Sequence, residues 1–175
     1  MRTGRVELSI HRDEHIQRLE RLAARFLAGS NTVCVDFALL TEATPTGFSR
    51  CHHVGRGGPQ RGIVKRLADA VNASYPAYYT CLASSPAEVM AAAKAARLSS
   101  EFRIRVFRQP PSDNSLLAWS TERFWDPDAQ HPEEGGAIVV ATARDDGTSF
   151  SVMADDSVFD DILDALGRAP TVTSS

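Results

Sequence analysis

The sequence predicts an α+β fold (mixed α/β): a single domain in which one mixed sheet of about six strands is packed by about four helices. Three observations lead there. Strand–helix–strand patterns open the chain, segments with a hydrophobic period of two follow, and an amphipathic helix comes last. A strand–helix–strand start is the pattern of parallel strands, while hairpin-spaced strands pair antiparallel. The sheet is therefore expected to be partly parallel in its N-terminal half and antiparallel later. A length of 175 residues suits one domain, taken as 1–170 with a disordered tail at 171–175, and 43% hydrophobic residues can supply its core.

Val6, Leu8 and Ile10 alternate along a first strand over 5–10. A helix over 13–28 follows, with Ile16, Leu19, Ala23, Phe26 and Leu27 in one stripe and Gly29 as its C-terminal cap. The segment 32–40 is apolar on both faces apart from Asp36, so it reads as a central buried strand. A weak strand over 48–54, a helix over 63–73 and a strand over 78–82 come next. Ser85, Pro86 and Glu88 form a helix start, with Ser85 as the N-cap and Glu88 closing a capping box, and this helix runs to about Leu98. Strands are then expected over 102–108, 116–121, 137–143 and 148–153. The last two flank Asp145-Asp146-Gly147, a hairpin turn signal. A final helix spans 158–166. No internal repeat is visible.

The net charge of −3 conceals a gradient. Residues 1–66 carry 11 basic and 6 acidic side chains, residues 67–125 carry 6 and 5, and residues 126–175 carry 2 and 11. This excludes a uniformly basic nucleic-acid binder and leaves room for a local basic surface facing an anion. Seventeen of the 19 basic residues are Arg, and Ala is abundant, a bias that a GC-rich bacterial genome produces. No stretch has the length of a membrane span, and the charged first 15 residues lack the apolar core of a signal peptide. Cys34, Cys51 and Cys81 are odd in number and lack CxxC spacing. The expectation is a reduced, cytoplasmic chain.

The first candidate site is the loop Gly55–Gly62 leading into a helix with Lys65 and Arg66. Gly57, Gly58 and Gly62 would let a backbone approach a phosphate, with Arg56 and Arg61 as paired donors. The loop lacks the Lys-Ser/Thr of a P-loop and the third Gly of a dinucleotide fingerprint. Residues 54–67 resemble the acyl-CoA loop of the GNAT acetyltransferases. Arg61-Gly62 carries the likeness, but the next Gly is absent and the spacing to Leu67 is short, so the resemblance assigns no family.

Cys51-His52-His53 is the second candidate, since a thiol beside imidazoles suits a nucleophile or a metal ligand. Asp36 is the third. A carboxylate in a buried strand needs a partner, either an Arg or a ligand that it orients. Arg103 and Arg105, one face of a strand with Arg108 nearby, read as a solvated sheet surface. His11, Glu14 and His15 match H-x-x-E-H but read as a helix-start cluster. The acidic segment 122–136, with Trp125, reads as a solvated loop of lid-like length. No metal site is indicated, and the sequence does not identify a cofactor.

The sequence thus favours an accessory domain that binds an anionic small molecule or a protein partner, with neither membrane nor nucleic acid expected. One alternative is a small transferase. In it Arg56, Gly57, Gly58, Arg61 and Gly62 would cradle a phosphate-bearing cosubstrate, acyl-CoA or a nucleotide, with Asp36, His52, His53 or Cys51 in the chemistry. Another is an assembly domain, a homo-oligomer whose acidic last helix docks on the Arg-lined helix 13–28 of a second copy.

Overall fold

A computed structural model of the chain describes residues 2–7, 12–39, 47–48, 50–56, 76–96, 102–117, 136–144, 149–166 and 170–171. The elements are β1 (Arg2–Glu7), α1 (Arg12–Ala28), β2 (Thr32–Leu39), β3 (Arg50–Arg56), β4 (Ala77–Ala83), α2 (Pro86–Ala95), β5 (Arg103–Phe107), α3 (Asp113–Leu117), β6 (Ala137–Arg144), β7 (Ser149–Ala154), α4 (Asp156–Leu166) and β8 (Pro170–Thr171). The α+β class holds, with three long helices and the single turn α3. The strands form one sheet of eight in the order β3-β4-β2-β5-β6-β7-β1-β8.

Every described strand pair is antiparallel, which corrects the expected parallel half. The reason is a strand inserted into each crossover. β4 and β5, joined through α2, both pair with β2; β7 and β8, joined through α4, both pair with β1. Strands joined by a helix then share a direction without being neighbours, the split β-α-β arrangement. The two groups β3-β4-β2-β5 and β6-β7-β1-β8 repeat one lateral order, in which the second, third, first and fourth strands of the group follow one another. They meet edge to edge at β5–β6, and the first group is inserted between α1 and β6. The topology repeats where the sequence does not.

α1, α2 and α4 pack on one side of the sheet. Leu19, Leu22 and Phe26 of α1, Val89 and Ala93 of α2, and Phe159 and Ile162 of α4 join Val35, Ile104, Val139 and Val152 in one core. α1 leans against both other helices, and Arg18 donates an Nη1–H to the Leu166 carbonyl at the end of α4, 2.5 Å away. The stripe read from 13–28 is the stripe that is buried. At the end of α1 the left-handed residue is Ser30, φ 58°, not Gly29. Asn31 Nδ2 caps the Phe26 carbonyl at 3.1 Å, and a Cβ on Gly29 would lie 2.9 Å from that amide. A side chain at Gly29 would therefore displace the Asn31 amide from its cap. At α2, Ser85 Oγ accepts the Glu88 N–H, while the Glu88 carboxylate takes the N–H of Ser84 at 2.6 Å, one residue earlier than a standard capping box.

Three further expectations shift. Leu116 and Leu117 lie in α3, not in a strand. Pro110 and Pro111 end the extended run, and the Leu116 N–H bonds the Ser112 carbonyl at 3.0 Å, a choice that a short apolar run cannot signal. Pro170–Thr171 pairs with β1, so the chain is still in the sheet at 171. The strand expected over 48–54 lies at 50–56, with a register break between His53 and Gly55. The expected helix 63–73, the hairpin turn 145–147 and all of the segment 122–136 but Gly136 lie outside the described residues. No described helix is long and apolar enough to cross a membrane.

Candidate functional site

The side of the sheet away from α1, α2 and α4 carries the polar groups. Strand register lines them up across the sheet: His52 lies opposite Thr80, Thr80 opposite Asp36, Asp36 opposite Arg103, Arg103 opposite Thr142, and Thr142 opposite Ser151. Directly opposed residues of antiparallel strands share a face, so these six form one transverse polar row on six strands. The next row holds Leu82, Cys34, Arg105, Val140 and Met153. Leu116 of α3 packs there with Cys34, Phe107, Val140 and Met153.

The row is buried at Thr80, Asp36, Arg103 and Thr142 and half-buried at its two ends, His52 and Ser151. Asp36 is 0% exposed and Arg103 4%, and Arg105 of the next row is 2% exposed. This corrects the reading of Arg103 and Arg105 as a solvated surface. The alternation was right and the environment was not, because the residues that cover a sheet face are distant in sequence. Arg108, just past β5, is exposed and sits 3.6 Å from Asp155.

Asp36 is held by Arg105 through two parallel bonds, Nε to Oδ2 and Nη2 to Oδ1, each 2.7 Å. Such a fork joins two planar charged groups in one geometry. Thr80 Oγ1 donates to Asp36 Oδ1 at 2.7 Å and accepts from Arg105 Nη2 at 3.1 Å. Cys34 Sγ lies 3.2 Å from Thr80 Oγ1 and 3.6 Å from Arg105 Nη2. Burial, and then the Asp36 charge, push the Cys34 thiol up to about 12. At neutral pH it is a protonated thiol, not a nucleophile. Burial opposes the Arg105 charge, but the Asp36 carboxylate outweighs that and raises its pKa above the ordinary value. The sequence left Asp36 either a salt-bridge partner for an Arg or a catalytic or ligand-orienting group; the structure gives it an Arg partner, Arg105, which the sequence did not single out, and adds Thr80. One signal was available: a lone carboxylate on β2 needs a cation of the same phase on a neighbouring strand, and only β5 alternates Arg with apolar residues.

The triplet Cys51-His52-His53 does not converge. It lies along β3, so its members alternate between faces. Cys51 opposes Cys81 on the helix side and is joined to it as a disulfide, Cα–Cα 4.0 Å, which corrects the expectation of three reduced thiols. His53 is exposed at the same side, its ring 5.4 Å from that of Tyr79. His52 is on the polar side, where its Nε2 is 3.6 Å from an Asp113 carboxylate oxygen of α3. Arg50 makes an ion pair with the same carboxylate. Thus Asp36 and His52 share a face, two strands apart, with Thr80 between them.

Of the glycine-rich loop, Gly55 and Arg56 end strand β3, while Gly57, Gly58, Arg61 and Gly62 lie outside the described residues. His15 is buried on α1, and His11 lies outside the described residues. Among the described residues no group of three or more His, Cys, Asp or Glu side chains is placed to hold a metal ion. Comparison with known proteins returned no match: no family model, no curated protein and no solved structure is similar to the chain.

Proposed function

We propose that the protein is a binding domain and that the polar side of its sheet is the recognition surface for an anionic small molecule. The observation that carries this reading is the transverse polar row from His52 to Ser151, buried through Thr80, Asp36, Arg103 and Thr142 and half-exposed at both ends. Polar groups placed along a sheet interior cost desolvation free energy, and a protein retains them where they serve specificity or a ligand. Arg50, Arg103 and Arg105 place cationic groups on that side, with Arg50 paired to Asp113 and Arg105 to Asp36. Binding is also a better fit than chemistry to the groups described. Asp36 is committed to Arg105 and Thr80, the Cys34 thiol is held protonated, and Cys51 is bonded to Cys81.

The test is thermal unfolding against a panel of nucleotides, coenzyme A, sugar phosphates and dicarboxylates. A ligand at 100 times its Kd adds about 2.7 kcal/mol. For a chain of this size that is a rise in Tm of about 5–10 °C. Thr142→Val, which removes a hydroxyl from the buried part of the row, should reduce the shift. If no member of the panel moves Tm, and native mass spectrometry of the protein from its own host shows the bare chain mass, the reading is wrong.

A further inference from the structure

We propose that the Cys51–Cys81 pair is a reversible thiol–disulfide switch, exchanging with glutathione-class monothiols, that sets how firmly edge strand β3 is held on β4. This inference does not depend on the ligand-binding reading.

The first support is position. β3 is the outermost described strand on its side of the sheet and pairs with β4 alone among the described strands. Its ladder breaks between His53 and Gly55. Apart from backbone pairing, its described holds are the Arg50 and His52 contacts with exposed Asp113 and the His53–Tyr79 ring contact. The disulfide is therefore the one covalent hold on a strand otherwise kept by few and partly solvated contacts.

The second support is access. Cys81 is buried, whereas Cys51 is only half-buried on the edge strand, so Cys51 is the more accessible of the two cysteines. Attack there forms a mixed disulfide at Cys51 and breaks the Cys51–Cys81 bond. Cys81 leaves as a thiolate and takes up a proton. A second monothiolate then attacks the sulfur of the first, forming the dimer, and Cys51 leaves as a thiolate and takes up a proton. The balance is two monothiols oxidised to their dimer and two cysteines reduced, with two electrons and two protons transferred.

The third support is the placement of the remaining cysteine. Cys34 lies on the opposite face of the sheet, fully buried, with Thr80 and Arg105 around its sulfur. Burial holds it protonated. It cannot enter the exchange, so the chain has two redox states instead of three interchanging disulfides.

The experiment is to equilibrate the full chain across a series of reduced-to-oxidised glutathione ratios. Thiols are counted by alkylation and mass spectrometry, and amide exchange is followed in each state. The expected count rises from zero to two alkylated cysteines under native conditions, with Cys34 labelled only after denaturation. Exchange over 50–56 should speed up about tenfold or more on reduction, while β5 and β6 keep their protection. The Cys51→Ser/Cys81→Ser double variant should exchange as the reduced chain does at every ratio. Failure of the disulfide to form in oxidised glutathione would overturn the proposal, and so would equal protection of β3 in both states of the wild-type chain.

Discussion

On one side of the sheet, Val35, Ile104, Val139 and Val152 meet Leu19, Phe26, Phe159 and Ile162 of the helices. On the other side the sheet presents Asp36, Arg105, Thr80 and Cys34, joined by short directional bonds. The first kind of contact has no preferred direction, so its stability grows with buried area and it tolerates repacking. The second depends on each partner being present. Remove one and the rest are left charged or polar in a place that water does not reach. The two sides of one sheet should therefore respond differently to truncation, in steps on the polar side and in proportion to volume on the helix side.

The largest effect is expected at Arg105. Arg105→Met leaves Asp36 buried and unpaired and should cost about 3–5 kcal/mol in urea unfolding. Removing both charges in Asp36→Leu/Arg105→Met should return most of that stability, because two apolar side chains in a buried site avoid the desolvation cost altogether. A double variant as unstable as the single one would mean that the pair does not organise this face. On the helix side Ile162→Ala should cost about 2–5 kcal/mol and Ile162→Val about 0.5–1.5. A graded loss there beside all-or-none behaviour at Arg105 is the expected contrast.

Cys34 sharpens the same comparison through pH. Its ordinary value is 9.0 and its folded value about 12. Between these limits the unfolded chain sheds the thiol proton and the folded chain keeps it. The unfolded state then binds fewer protons, so stability falls as pH rises through that window and is fully present below pH 9. The contribution is about 1.4 kcal/mol per pH unit. Cys34→Ala should flatten the decline measured by urea midpoints between pH 9 and pH 11, relative to wild type. An identical slope in both proteins would show that the thiol is not held protonated.

The helix side was the legible side. The stripe Ile16, Leu19, Ala23 and Phe26 and the group Phe159, Ile162, Leu163 and Leu166 have helical spacing, and the structure buries both. Period two in β2 and β5 placed Arg103 and Arg105 on one face and Ile104 and Val106 on the other. What periodicity cannot carry is lateral order. Sequence adjacency suggested that β1 and β2 are neighbours, yet three strands separate them. Only that order brings Arg105 beside Asp36, 69 residues away, and Cys51 opposite Cys81. His52 and His53 are adjacent in sequence, and a strand sends adjacent residues to opposite faces.

A smaller effect tests whether directional bonds matter on the helix side too. Ser85 caps α2 by accepting the Glu88 N–H. Ser85→Ala should cost about 1 kcal/mol, and Ser85→Asp should restore it, as read by the unfolding midpoint. α2 also meets α1, so a loss well below this value would mean that tertiary packing alone fixes its start.

The smallest effect concerns the charge gradient. The acidic last helix finds part of its complement within its own chain. Asp161 lies 2.7 Å from Arg25 of α1, and Asp160 lies 3.5 Å from Arg2 of β1. The side chains of the Arg25–Asp161 pair are about half exposed. A pair in that setting contributes about 0.2–1 kcal/mol, because water screens the attraction and two long side chains lose freedom. Asp161→Asn should thus lower stability by less than about 1 kcal/mol. The difference should vanish in 1 M salt, where the screening length is about 3 Å. The same salt series read by light scattering separates an internal role from an external one. A constant monomer mass would leave α4 docked on its own α1, and a mass that falls with salt would mean that the acidic face also holds a second copy.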